Sequence, residues 1–168
     1  MSNESHYHFD DYEYLTVSHN MLDKIHNYVD LCKDMLRSGV QTYGRTKNFT
    51  FALRKGRVVE IGWNDYRKTV NYIPKLGNLK YYNPVEHKNS SYNPSLHAEM
   101  SCLTKLGYNV DLNDFCNYDI VNIRINRTEK MNCVLSAPCC NCRQAIKLLQ
   151  IGKIYFYDGN EWKCVRGH

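Results

Sequence analysis

The apolar positions Leu15, Leu22, Ile25, Val29, Cys32 and Leu36 recur mostly at three- and four-residue steps between Tyr14 and Arg37, the period of an amphipathic helix that Ser38-Gly39 ends. Phe49 to Leu53 and Val58 to Trp63 are short apolar stretches joined by Arg54-Lys55-Gly56-Arg57, which predicts a β-hairpin. From Tyr66 to Tyr92 the chain carries Pro74, Gly77, Pro84 and several Asn and Tyr without a sustained period. This reads as a long loop, and long loops in compact domains are often functional.

Asn93-Pro94-Ser95 then offers a helix start, with Leu96, Met100, Leu103 and Leu106 as the buried stripe and Gly107 as the end. Ile120 to Ile125 alternates as a strand, and Asn132 to Ser136 is a further extended stretch. A third helix starts at Pro138, buries Ala145, Ile146, Leu148 and Leu149, and stops at Gly152. Lys153 to Tyr157 is the next strand, and the turn Asp158-Gly159-Asn160 sends Glu161 to Val165 back antiparallel to it. The order helix-strand-strand-helix-strand-helix-strand-strand predicts a three-layer α/β/α fold around a mixed sheet of about five strands.

Length changes this picture little: 168 residues suit one catalytic domain over 1–168, with residues 1–13 as a loosely ordered arm. No apolar run approaches the roughly 18 residues of a membrane span, and the polar start Met1-Ser2-Asn3-Glu4 lacks the pattern of a secretory or transit signal. The expectation is a soluble cytoplasmic protein. A formal charge of +5 suits an anionic ligand, either a nucleotide phosphate or a polynucleotide backbone, without choosing between them. The basic residues are dispersed, with no dense stripe.

Cysteine usage is more informative. Of eight cysteines, Cys133, Cys139, Cys140 and Cys142 cluster beside Pro138, which points to a metal rather than a disulfide framework. Cys32, Cys102, Cys116 and Cys164 are scattered among apolar neighbours and read as small buried hydrophobes.

His97-Ala98-Glu99 opens one expected helix and Pro138-Cys139-Cys140-Asn141-Cys142 opens another. Residues three apart share a helix face, so Cys139 and Cys142 can reach one metal from a first turn, while Pro138 fits the first helical position. His97 and Glu99, two apart, serve one site only if it lies in front of the helix end. Such a site feels the positive ends of two helix dipoles, which favour thiolates. One His and two Cys make three ligands and leave a fourth tetrahedral position for water, as in a catalytic zinc site. Zinc lowers the pKa of such a water from about 15.7 toward about 7, and Glu99 is the candidate to move its protons.

These residues match His-x-Glu followed by Pro-Cys-x-x-Cys, and the chain resembles the cytidine/deoxycytidylate deaminase superfamily from about Leu15 to Val165. The resemblance implies one catalytic zinc on His97, Cys139 and Cys142, with Glu99 as proton shuttle. It also implies a small cytosine nucleoside or nucleotide as substrate, converted to the uracil form with loss of ammonia, and self-association as a homo-oligomer. Asn64, in Gly62-Trp63-Asn64, looks like the position where many members hold the substrate, and Ala98 and Ser136 are taken with it as substrate-binding positions.

The run Cys139 to Gln144 looks like the free-nucleoside branch, whereas His97-Ala98-Glu99-Met100 looks like the deoxycytidylate and polynucleotide-editing branches. Lys47, Arg54, Arg67 and Lys68 are unranked candidates for a phosphate. Two other readings stay open: an enzyme acting on RNA or single-stranded DNA, and a non-catalytic zinc module closed by Cys133 or Cys140. Small substrates are preferred because no nucleic-acid domain is appended. Tyr81, Tyr82 and Tyr92, in the long loop, are candidates to cover the substrate, and a second metal on His87 is conceivable.

Overall fold

The computed structural model describes residues 12–39, 46–69, 95–128 and 130–168. Strand β1 (Tyr14–Leu15) leads into helix α1 (His19–Arg37), followed by the hairpin of β2 (Thr46–Arg54) and β3 (Arg57–Trp63). Strands β4 (Asp65–Thr69) and β5 (Ser95–Leu96) pair as a separate small sheet ahead of α2 (Ala98–Gly107). A 3-10 helix (Leu112–Asn117), β6 (Tyr118–Asn126), β7 (Asn132–Val134), α3 (Cys140–Leu148), β8 (Lys153–Tyr157) and β9 (Trp162–Arg166) complete the order.

The main sheet runs β1-β9-β8-β6-β2-β3, with β7 also paired to β6. Only the β6–β8 pair is parallel among the described strands; the others are antiparallel. The expected mixed α/β architecture is therefore present, but the sheet has seven strands rather than about five. Part of the surplus is β1, two residues long and too short to leave a hydrophobic period; β7, three residues long, falls within the extended stretch expected over Asn132 to Ser136.

Alternation along the central strands divides the core into two layers. Phe49, Phe51 and Leu53 of β2, with Val121, Ile123 and Ile125 of β6, meet Ile25, Val29, Cys32 and Leu36 of α1. On the opposite face Ala52, Ile120, Ile154, Phe156 and Val165 meet Met100, Leu103 and Leu106 of α2 and Ala145, Ile146 and Leu149 of α3. Helix α2 approaches β3 very closely at Gly62, where a Cβ would lie 2.6 Å from the Ala98 carbonyl oxygen and 2.7 Å from Cys102 Cα. Only glycine permits that contact.

Several boundaries differ from the expectations, each for a local reason. Helix α1 begins at His19 rather than near Tyr14, because the Ser18 hydroxyl caps it by accepting from Met21 N at 3.1 Å; Leu15 instead pairs with Cys164 on β9. Helix α2 begins at Ala98, since Ser95 and Leu96 are drawn into β5. Pro138 lies just before the N-cap of α3, not at its first helical position. Tyr66 to Thr69 belong to β4, while the rest of the expected loop, including Tyr81, Tyr82, His87 and Tyr92, lies outside the described residues. Among the described residues no helix is long and apolar enough to cross a membrane.

One side of β6 is shared between two strands. Its first part pairs with β8 at Ile120 and Val121, and its last part with β7 at Arg124 to Asn126. At the resulting fork Ser136 donates through Oγ to the Asn122 carbonyl at 2.8 Å and accepts from Tyr157 N at 2.9 Å. Its own N–H donates to the Tyr157 carbonyl at 2.9 Å. This stitch fixes the chain two residues before Pro138.

Candidate metal centre and active site

His97 and Cys139 are the N-caps of α2 and α3, both in extended backbone conformation (φ −76°, ψ 158° and φ −68°, ψ 167°). An N-cap residue stands off the end of its helix, so each side chain can face the space in front of the first turn. Cys142 joins from within the first turn of α3. The ligand atoms of His97, Cys139 and Cys142 lie within 4.8 Å of one another. His97 Nδ1 is 3.4 Å from Cys139 Sγ and 3.5 Å from Cys142 Sγ. A tetrahedral zinc with bonds of about 2.3 Å to sulfur and about 2.0–2.1 Å to nitrogen separates those ligands by about 3.6 Å. The cluster fits one zinc ion.

Electrostatics within the cluster favour ligation. Hydrogen bonding from Cys142 and the neighbouring His97 imidazole hold the Cys139 thiol down at about 3, so the sulfur is a thiolate at neutral pH. Cys133 packs instead into the core layer under α1, and it does not join the cluster. Cys32, Cys102 and Cys164 are buried, as expected of small hydrophobes, and burial pushes the Cys32 and Cys102 thiols up. Cys116 departs from that expectation: it is exposed on the 3-10 helix, where its thiol approaches the Asn113 carbonyl at 3.4 Å.

Glu99, 7 % exposed, stands beside the cluster in the first turn of α2. Burial, and then the negative Cys139, raise its carboxyl above the ordinary range. Its Oε1 accepts from Asn122 Nδ2 at 2.9 Å, and Asn122 Oδ1 in turn accepts from Thr50 Oγ1 at 2.8 Å. Thr50 and Asn122 are directly opposed on β2 and β6, on the face that looks toward α2.

A small cavity of about 30 Å³ adjoins Glu99, with Ala98, Thr50, Asn122, Asn48, Arg124 and Ser136 among its walls. Ala98 and Ser136, expected at the substrate, are thus brought to Glu99, but the Ser136 hydroxyl is already engaged by backbone groups on both sides. Asn64 is 3 % exposed and lies one step away: its Oδ1 accepts from Asn48 N at 3.0 Å and its carbonyl accepts from Lys47 Nζ at 2.9 Å. Of the phosphate candidates, Lys47 is therefore buried against Asn64. Arg54 is at the far end of β2, over the Tyr118 ring and 3.8 Å from Asp114.

Asn48, Thr50, Asn122 and Arg124 escaped the sequence reading. The signal available was a polar residue at every other position of otherwise apolar strands, Thr50 between two Phe and Asn122 between Val121 and Ile123. Asn48 Oδ1 and Arg124 Nε are buried and find no hydrogen-bond partner among the described residues. A larger cleft of about 480 Å³, lined by Tyr12, Arg143, Lys147 and Arg166, shares none of these residues.

The sequence was compared with protein families, curated proteins and solved structures. The family model for the cytidine and deoxycytidylate deaminase zinc-binding region matches residues 23–158. No curated protein and no solved structure matches. The matched span takes in His97, Glu99, Cys139 and Cys142 together with the strands that carry Thr50 and Asn122. By that match over most of its length, the chain belongs to the cytidine and deoxycytidylate deaminase family and is a zinc-dependent deaminase.

Proposed function

We propose that the protein hydrolyses the exocyclic amine of a cytosine-type nucleoside or nucleotide, cytidine, deoxycytidine or deoxycytidylate, to the uracil form. The observation that carries this reading is the placement of a buried carboxyl, Glu99, beside a three-ligand His/Cys/Cys cluster. His97, Cys139 and Cys142 would hold the zinc, which would supply Lewis acidity to the attacking water.

Glu99 supplies the proton traffic. Its carboxylate accepts a proton as the water oxygen bonds to C4 and passes that proton to ring N3. It then moves the second water proton to the departing amine, so that the C4–N bond breaks and ammonia leaves. A carboxyl raised by burial suits this task, since an efficient proton carrier titrates nearer the working pH. The unpaired Asn48 oxygen and Arg124 Nε support a polar guest beside Glu99, because an unmade buried hydrogen bond costs about 1–3 kcal/mol. A sugar hydroxyl, both donor and acceptor, would satisfy the two together. Asn64 serves the substrate by holding Asn48, and Ala98 and Ser136 by shaping the walls.

Ammonia release by zinc-loaded protein tests the reading, against cytidine, deoxycytidine, their monophosphates, adenosine, guanine and short single-stranded oligonucleotides, with Glu99→Ala as control. Turnover of a small cytosine compound, absent in the control, is expected. Activity confined to oligonucleotides would replace this reading with an editing enzyme, and silence throughout with a non-catalytic zinc protein. The accompanying proposal of a homo-oligomer is checked by sedimentation; a monomer at assay concentration would end it.

A further inference from the structure

We propose that Asn122, oriented by Thr50, is a positioning residue that anchors Glu99 by Oε1 and leaves Oε2 to carry the proton. This rests on the deaminase reading above for its catalytic consequence, though not for the contact itself.

Thr50, Asn122 and Glu99 are 0 %, 3 % and 7 % exposed. Burying three polar side chains between a sheet face and the helix packed on it is costly unless each is paired, and here each is. The chain of bonds also has a direction. An ionised carboxylate only accepts, so the amide must turn its Nδ2 toward Glu99, at 2.9 Å. That leaves Asn122 Oδ1 facing Thr50, whose hydroxyl donates to it at 2.8 Å. Flipping the amide would set oxygen against oxygen at Glu99. The Thr50 donation therefore locks the amide, and the amide locks one carboxylate oxygen.

The backbone holds the relay as firmly as the side chains do. Thr50 and Asn122 are register partners on the two central strands, and the Asn122 carbonyl is held by Ser136 Oγ at the β6 fork. Glu99 sits on a helix pressed against Gly62 of β3. The carboxylate is thus tied to the sheet by one oxygen while its helix carries His97. The Glu99 carboxylate also meets Cys142 and its own backbone N–H, and Oε2 is the oxygen left to serve water, N3 and the leaving amine. Pre-set geometry of this kind matters because a misplacement of about 1 Å can cost about 10²-fold in rate.

The test uses full-length, zinc-loaded protein with Asn122→Leu, Thr50→Val and Thr50→Ser. Asn122→Leu is expected to lower kcat about 10²-fold with zinc still stoichiometric and KM changed less than about threefold. Thr50→Val, which keeps its volume, is expected to lose a smaller part of kcat, about 3- to 10-fold, and Thr50→Ser to restore most of that loss. Wild-type kcat in zinc-bound Thr50→Val and Asn122→Leu, or a rise in KM at constant kcat, would overturn the proposal.

Should Asn122→Leu not fold, the Thr50 pair decides alone. A readout without substrate is the side-chain amide signal of Asn122 by NMR, expected to shift and lose exchange protection in Glu99→Ala; an unmoved signal overturns the contact. Silence of wild-type protein on every substrate with the amide signal behaving as expected would sink the deaminase reading, not the contact. An active enzyme indifferent to Asn122 would do the reverse.

Discussion

Glu99 and the His/Cys/Cys cluster share one space, and the tasks proposed for them are separable, since the carboxyl is held by Asn122 while the candidate ligands face one another. Glu99→Ala should keep stoichiometric zinc and lose about 10²- to 10⁴-fold in kcat, measured as ammonia release beside metal content. Cys139→Ser or Cys142→Ser should lose the metal instead, because a three-ligand site tolerates little subtraction; zinc retained at one per chain would mean that other residues hold it. Away from the site, burial raises the Asp119 carboxyl against the weaker pull of Lys153. Its proton is then held more tightly in the folded chain than in the unfolded one, so this group's contribution to stability falls as pH rises from the ordinary carboxyl range toward the folded value. Asp119→Asn should flatten the stability-versus-pH curve in that window, read by denaturant unfolding at several pH values. An unchanged curve would mean that Asp119 does not titrate differently on folding.

At the scale of elements, α2 carries His97 and Glu99 together, so its seat on β3 matters as much as its sequence. The 2.6 Å approach of a would-be Cβ at Gly62 to the Ala98 carbonyl leaves no room for a methyl group. Gly62→Ala should destabilise the protein by about 1–3 kcal/mol and lower turnover, because the helix must lift and take His97 and Glu99 with it; full activity at wild-type stability would show that α2 can shift freely.

Elements also show what the sequence made legible. The stripe of α1 from Ile25 to Leu36, the β2–β3 hairpin and both motif helices were readable because each is a local period or a contiguous motif. β7 lies inside the extended stretch read over Asn132 to Ser136, whereas β1 was not readable, since two residues hold no period and pair only because the rest of the sheet is already there. For the same reason Thr50 and Asn122 passed as ordinary strand residues. They are 72 positions apart, and nothing in either local segment announces that the other completes it.

Across the whole molecule, the candidate ligands join parts of the chain 42 positions apart, with two helices and several strands depending on the same point. A metal that binds only the folded protein stabilises it by about 4 kcal/mol at a thousandfold excess over its Kd. For a chain of this size that corresponds to a Tm shift on the order of 10 °C. Chelation should therefore lower Tm by about that much, restored by zinc and not by magnesium, in a thermal scan. An unchanged Tm would mean that the site is rigid without its ion.

The fork in β6 also sets where this chain can vary in length. Arg127, Thr128 and Lys130, in the turn between β6 and β7, are exposed, and the chain returns from β7 to the stitch at Ser136 before reaching Pro138. Residues gained or lost in that turn are absorbed by a short hairpin arm ahead of the stitch. The cysteines then keep their place, so a peptide tag grafted into the turn should leave both metal content and ammonia release untouched.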